Sequence, residues 1–84
     1  MIIGRYELGR IASDDLKYGA SQIEEQGYVV DLDSAETSIL TEKDFEGKFK
    51  GFLMICFPVS KGGDKIEAAC AVYHPKFWKP ATVH

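Results

Sequence analysis

The sequence predicts a single α+β domain, residues 1–84, in which one main helix packs on one face of a mostly antiparallel sheet of about four strands. Three observations lead to this fold class. One segment has helical periodicity and lies between residues that typically begin and end a helix. Two long apolar runs flank a glycine pair, and the other apolar segments are short. The composition, 45% hydrophobic and 27% charged, is that of a globular domain. The predicted order is strand, helix, strand, short helix, strand, strand.

Two short segments predict strands on either side of the helix. In "MIIGRYELGRI", residues 1–11, apolar residues alternate imperfectly, which predicts a first strand that Gly4 and Gly9 interrupt. The run "YVVDLD", residues 28–33, is rich in β-branched side chains and ends in aspartates. It predicts a second strand that enters a turn at Asp33 and Ser34.

The segment "SDDLKYGASQIEEQG", residues 13–27, predicts the main helix. Ser13 is the expected N-cap, Asp14 and Asp15 suit the positive end of the helix dipole, and Gly27 is the expected stop. Gly19 weakens the helix, which indicates close packing on the sheet. Positions spaced by four and three residues form the apolar stripe: Leu16, Ala20 and Ile23.

The segment "SAETSILTEKDFEGKFKG", residues 34–51, has two interpretations. Ile39 and Leu40 are suited to the end of a strand, whereas Thr41 and Asp44 resemble a capping box that opens a short helix holding Phe45 and Phe49. We favour the short helix. The continuous apolar run "FLMICFPV", residues 52–59, then predicts a strand that is covered on both faces or lies in the middle of the sheet.

The turn "SKGGDK", residues 60–65, predicts a hairpin between that strand and "IEAACAVYH". With Gly63 at its centre, Cys56 falls opposite Cys70 on the same face. We favour two buried, reduced thiols that act as small hydrophobic side chains. The alternative is a small-ligand or metal site on Cys56, Cys70 and His74, although zinc would require further ligands. Two cysteines are too few for a secreted disulfide scaffold, so the thiols are expected in a reducing compartment.

Motifs of the common enzyme classes are missing from the sequence. The turn at residues 60–65 is too short for a phosphate-binding P-loop, and no serine lies in a nucleophile elbow. Cys70 and His74 have no evident third member for nucleophilic catalysis. We therefore expect no catalytic residue, no bound metal and no cofactor.

Charge is the most informative feature of the sequence. Residues 14–46 contain ten acidic residues and two lysines, whereas the flanking segments are basic and the whole chain has a net charge of −3. One interpretation is a solvated surface that serves solubility. The other is an acidic surface that docks onto a basic groove of another protein. The candidate binding residues are Asp14, Asp15, Glu24, Glu25, Asp31, Asp33 and Glu36.

The tail "YHPKFWKPATVH", residues 73–84, holds two further candidates, Phe77 and Trp78, between Pro75 and Pro80. Prolines interrupt regular structure, so residues 75–84 are expected to form an extended tail. The aromatic pair then either folds back over the sheet or anchors a partner or a second copy of the chain. We favour the interface. Direct nucleic-acid binding would use the same aromatics for base stacking, but the acidic total argues against it.

The leading hypothesis is a non-catalytic protein-binding module that occludes a basic site on its partner. A short acidic chain is also expected of a phage or mobile-element inhibitor of a nucleic-acid enzyme. The alternatives are a structural homo-oligomer joined through sheet edges or the tail, and the metal or ligand site described above. The N-terminus lacks a signal peptide and no apolar run has the length of a membrane span, so a cytoplasmic location without membrane contact is expected.

Overall fold

The structure, a computed structural model, describes residues 1–63 and 66–82. These residues form one α-helix, α1 (Arg10–Glu25), and the α+β prediction is confirmed. Two residues of the predicted turn, 64 and 65, and the last two residues, 83 and 84, lie outside the described part. The strands are β1 (Ile2–Ile3), β2 (Tyr6–Leu8), β3 (Val29–Val30), β4 (Glu36–Ile39), β5 (Leu53–Ser60), β6 (Ile66–Tyr73) and β7 (Trp78–Pro80).

Strand β5 lies at the centre of an antiparallel sheet. β6 pairs with one edge of β5 along its whole length, while β4 and β3 share the other edge. Alternate residues of β5 are buried on the side of α1, and Leu53 and Ile55 are 0% exposed. The side chains between them, such as Met54 and Pro58, are half-buried on the opposite side. The predicted central strand is therefore confirmed, but only one of its faces is covered.

The hairpin of β5 and β6 has the predicted register. Leu53 pairs with Tyr73, and Cys56 lies directly opposite Cys70. Gly62 and Gly63 have φ angles of 71° and 78°, which side chains with a Cβ rarely adopt. The glycine pair thus makes the turn that the sequence indicated.

Helix α1 begins at Arg10, so the prediction of Ser13 as its N-cap is wrong. Gly9 is the N-cap instead, and its N–H donates to the carbonyl oxygen of Phe77. A Cβ on Gly9 would lie 2.9 Å from that oxygen, which is too close for any other residue. Ser13 is consequently buried one turn inside the helix, and the two aspartates that follow it are no longer at the helix start.

The rest of α1 follows its sequence pattern. Leu16 and Ala20 are buried, and Ile23 packs against the core. The helix stops before Gly27, whose φ of 93° is the left-handed conformation expected there. The interpretation of Gly19 is wrong, because a Cβ at this position would meet nothing within 4 Å.

The predicted first strand is a hairpin, β1 and β2, joined by Gly4 and Arg5. Gly4 has a φ of 62°, the sign that a two-residue hairpin loop with glycine first requires. β2 also pairs with β7, so the three strands form a second sheet. The prediction of an extended tail outside the sheets is therefore wrong. Pro80 is tolerated because β7 is an edge strand of this sheet, and the next N–H, that of Ala81, donates to the carbonyl oxygen of Arg5 over 2.7 Å.

The strand interpretation of residues 34–51 is confirmed, because Ile39 ends strand β4. The favoured short helix is reduced to the three-residue turn Phe45–Gly47, whose φ angles of 50°, 60° and 80° are left-handed, and Phe49 lies outside it. The Asp44 carboxylate accepts hydrogen bonds from the Thr41 N–H at 2.8 Å and from its hydroxyl at 3.1 Å. This is the reciprocal half of a capping box, in which the later side chain bonds back to the first residue.

Candidate functional site

The four acidic candidates on α1 are exposed. Asp14 and Asp15 lie in the second turn, and Glu24 and Glu25 in the last. The two pairs are about 15 Å apart along the helix, at 1.5 Å per residue. None of the four forms an ion pair with another described residue. Their charges are therefore directed to solvent and are not used within the described fold.

The three candidates that follow β3 have different surroundings. Asp31 accepts a hydrogen bond from the N–H of Ser34 at 3.2 Å and so caps the 3₁₀ turn Leu32–Ser34. Asp33 is exposed within that turn. Glu36 pairs with Cys56, which places it on the sheet face opposite α1. The seven carboxylates are thus divided between two sides of the sheet.

Phe77 and Trp78 are packed against the hydrophobic core, so the prediction that they lie outside the monomer core is wrong. The Trp78 ring meets Tyr6 edge to face, with 5.2 Å between centroids. Its indole Nε1 is buried without a hydrogen-bond partner among the described residues. The pairing of β7 with β2 places Trp78 opposite Leu8, and the hydrogen bond from the Gly9 N–H to the Phe77 carbonyl holds Phe77 beside the start of α1.

Cys56 and Cys70 form a disulfide, so the prediction of two buried, reduced thiols is wrong. Their Cα atoms are 4.2 Å apart, and Cys70 is exposed on the open side of β6. The predicted hairpin register placed the two cysteines close together, but the sequence alone does not show whether they are oxidised or reduced. A metal site on these two residues would require reduced thiols. The described residues contain no group of three or more histidine, cysteine, aspartate or glutamate side chains placed for a metal ion.

His74 has a local structural role. Its Nδ1 accepts a hydrogen bond from the N–H of Lys76 at 3.2 Å and caps the 3₁₀ turn Pro75–Phe77. Its ring also meets Phe52 edge to face, with 5.0 Å between centroids. The side chain is therefore oriented by the turn that carries Phe77 into the core.

Sequence reasoning missed the face of the sheet opposite α1. This open face is mostly apolar, and Ile66 and Val29 on it are 75% and 68% exposed. A water-facing antiparallel sheet ordinarily alternates apolar and polar residues. The alanines and Cys70 of β6 concealed this face, because a short run of small residues has no clear period. The residues of the open face are Val29, Glu36, Ser38, Met54, Cys56, Pro58, Ser60, Ile66, Ala68, Cys70 and Val72.

A groove lies on the other side of β6, between this strand and α1. Its volume is about 190 Å³, and it is lined by Asp15, Tyr18 and Ile23 of the helix together with Ala69 and Tyr73 of β6, among others. We call it the β6 groove. Burial raises the pKa of the Tyr73 hydroxyl to about 12, and the negative charge of Asp15 adds to the shift.

No helix in the described part of the chain is both long and apolar enough to cross a membrane. Comparison with protein-family models, with curated proteins and with solved structures finds no match for this chain.

Proposed function

We propose that the protein is a non-catalytic protein-binding module that occludes a basic site on a partner protein. The observation that supports this proposal is the set of four exposed carboxylates on α1, which form no ion pair with the described residues. Charges that stabilise nothing within a domain remain available for a partner of opposite charge, which they attract over a distance of several ångströms. Phe77 and Trp78 are not part of the proposed surface, because they are half-buried and pack against the core.

The proposed partner class is a nucleic-acid enzyme, whose substrate channel is basic in order to hold phosphates. An acidic helix competes with nucleic acid for such a channel. The proposal is that of an inhibitor of the phage or mobile-element kind, and it includes no direct binding to nucleic acid. The inference to this partner class depends on size and charge alone.

Association kinetics test the proposal. A partner is first captured from the native host and purified, and its association with the protein is then measured by stopped flow at several salt concentrations. The double variant Glu24→Lys/Glu25→Lys is expected to associate at least tenfold more slowly and with a weaker salt dependence, since charge acts mainly on the on-rate. Glu42→Lys/Glu46→Lys is the matched control, because it reverses as much charge away from α1. Equal on-rates for the two variants would contradict the proposal.

A cytoplasmic location is part of the same proposal, and the disulfide makes it testable. Structural disulfides persist in oxidising compartments, whereas cytosolic cysteines are kept reduced. In cells of the native host, acid quenching followed by alkylation measures whether Cys56 and Cys70 are paired, and free thiols would support the cytoplasmic location. A fully oxidised pair would place the protein outside the cytosol and leave the binding proposal intact.

A further inference from the structure

We propose that the outer edge of β6 and the β6 groove bind an extended segment of a partner protein, which adds a strand to the sheet and carries a basic residue opposite Asp15. This inference depends on the proposed function and names the form that the partner segment takes. An added strand is a recurring mode of peptide recognition, in which backbone hydrogen bonds supply affinity and alternate side chains supply specificity.

The backbone of β6 is suited to a further strand. Within the described residues, β6 pairs only with β5. The Cα atoms of Cys56 and Cys70 are 4.2 Å apart, close to the roughly 4.5 Å of a pair without mutual hydrogen bonds. The carbonyl of Pro58, opposite Ala68, accepts from Asp31 on the far side of β5, which agrees with this assignment. The N–H and C=O groups of alternate residues therefore point outward: Ile66, Ala68, Cys70 and Val72.

The edge also has little of the usual protection against pairing, since Glu67 is the one charged residue of Ile66–Tyr73. Edge strands ordinarily carry lysine, proline or a bulge that discourages another chain. Ile66–Tyr73 has no lysine or proline, and its register with β5 is continuous. Ala68, Ala69 and Ala71 leave the backbone accessible because their side chains are small. An eight-residue edge of this kind is a template for a partner strand.

The β6 groove would recognise the side chains on one side of the added strand. Alternate side chains of an added strand would point toward α1 and enter the groove. Tyr18, Ile23 and Phe57 supply apolar surface there, while Asp15 is the one charged residue in the lining among the described residues. An apolar side chain and a neighbouring lysine or arginine fit these walls.

Charge argues for a basic segment over a second copy of the chain. If two copies of the chain paired through antiparallel β6 strands, their two-fold axis would be perpendicular to the sheet. Residues on the α1 side of one copy would then lie on the same side of the joined sheet as those of the other copy. Ile66–Tyr73 contains no lysine or arginine, so a second copy paired through β6 places no basic side chain of that strand opposite Asp15. A partner segment with a lysine or arginine at that position forms an opposite-charge pair.

A peptide titration followed by amide NMR tests the inference. The probe is the capped peptide Thr-Val-Thr-Lys-Thr-Val-Thr, whose valines and lysine alternate on one side. Its matched controls carry glutamate for lysine, or N-methyl groups on the third and fifth residues. We expect the lysine peptide to shift the amides of β6 and of Tyr18, the glutamate peptide to bind at least tenfold more weakly, and the N-methylated peptide not to bind. Equal binding of all three, or shifts away from β6, would overturn the inference.

Protein variants complete the test. Ala68→Pro removes one outward N–H but no hydrogen bond to β5, so it is expected to weaken peptide binding at least tenfold while the thermal melt changes little. Ala68→Ser, which retains the N–H, is its control. Asp15→Asn is expected to abolish the preference for lysine over glutamate. Light scattering that showed a dimer broken by Ala68→Pro would overturn the inference in favour of a second copy.

The two proposals fail in distinguishable ways. If Glu24→Lys/Glu25→Lys slows association of the captured partner while no peptide shifts β6, the binding proposal stands and the β6 inference falls. If peptides bind β6 but both charge-reversal variants associate alike, the acidic helix is not the docking surface. The strand-addition site would then stand without it.

Discussion

Ser13 illustrates how a single residue can suggest one role in the sequence and have another in the structure. A serine followed by two aspartates is a common beginning of a helix, but a glycine four residues earlier is the N-cap. Gly9 is selected by its close contact with Phe77, which comes from the far end of the described chain. Local sequence carries no information about such a contact. The hydroxyl of Ser13 is therefore buried without a partner among the described residues.

Replacement of Ser13 by alanine is expected to stabilise the protein by about 1 kcal/mol. Alanine has the higher helix propensity, and the change removes a buried hydroxyl that lacks a hydrogen bond. Urea unfolding of Ser13→Ala beside Ser21→Ala, an exposed serine on the same helix, separates the two contributions. A loss of about 1 kcal/mol in Ser13→Ala would instead indicate an N-cap.

Tyr73 gives the stability a dependence on alkaline pH. Its pKa is raised from 10.0 to about 12 in the folded state, because burial and the nearby Asp15 both disfavour the phenolate. The neutral form is thus favoured by folding, so its contribution is complete below pH 10 and is lost as the pH rises toward 12. We expect the free energy of unfolding to fall over this window by at most about 3 kcal/mol. Tyr73→Phe, measured by urea unfolding from pH 8 to 12, should show a smaller fall than the unmodified chain.

At the scale of the elements, the long periodic segments were predictable, whereas most of the short ones were not; the two-residue strand β3, in the predicted strand of residues 28–33, is the exception. The β5–β6 hairpin and the apolar stripe of α1 follow from glycine chemistry and residue spacing. β1, β2 and β7 have two or three residues each, too few for a period to be recognised. They exist because they pair with one another. The acidic candidate residues could be chosen from the charge pattern of the sequence. The β6 groove could not be predicted, because it depends on how α1 lies across the sheet.

The disulfide across the β5–β6 hairpin is expected to stabilise the fold by about 3 kcal/mol. It closes a loop between residues separated by 14 positions and so restricts the unfolded chain. Thermal melts with and without a reducing agent measure this effect. The variant Cys56→Ala/Cys70→Ala should melt near the temperature of the reduced protein and should not respond to reductant. A melt that is unchanged by reduction would contradict the expectation.

At the scale of the whole molecule, the two ends of the described chain complete the structure together. β7 lies beside β2, and Phe77 accepts the hydrogen bond that fixes the start of α1. Trp78 packs on Tyr6 within this junction. The C-terminal strand thus joins the two ends of the described chain, and its half-buried Trp78 packs against the core.

Replacement of Trp78 by alanine is expected to cost about 3 kcal/mol of folding stability, as large-to-small changes of core aromatics do. Because a domain of this size has a stability of only several kcal/mol, much of the variant should unfold near physiological temperature. Circular dichroism melts measure the stability, and a sizing column measures the oligomeric state. Phe45→Ala is the control, because Phe45 is an exposed aromatic residue. An unchanged melt with loss of an oligomer would restore the interface interpretation.

The junction of β2 and β7 also bears on how the chain folds. These strands join residues 6–8 to residues 78–80, and such a distant pairing must close nearly the whole described chain before any of its hydrogen bonds form. Proteins with many distant pairings fold slowly, whereas hairpins such as β5–β6 close within microseconds. We therefore expect the central hairpin to form early and the junction last. Trp78 is the one tryptophan of the chain and lies in the junction, so its fluorescence should report the slowest step of refolding.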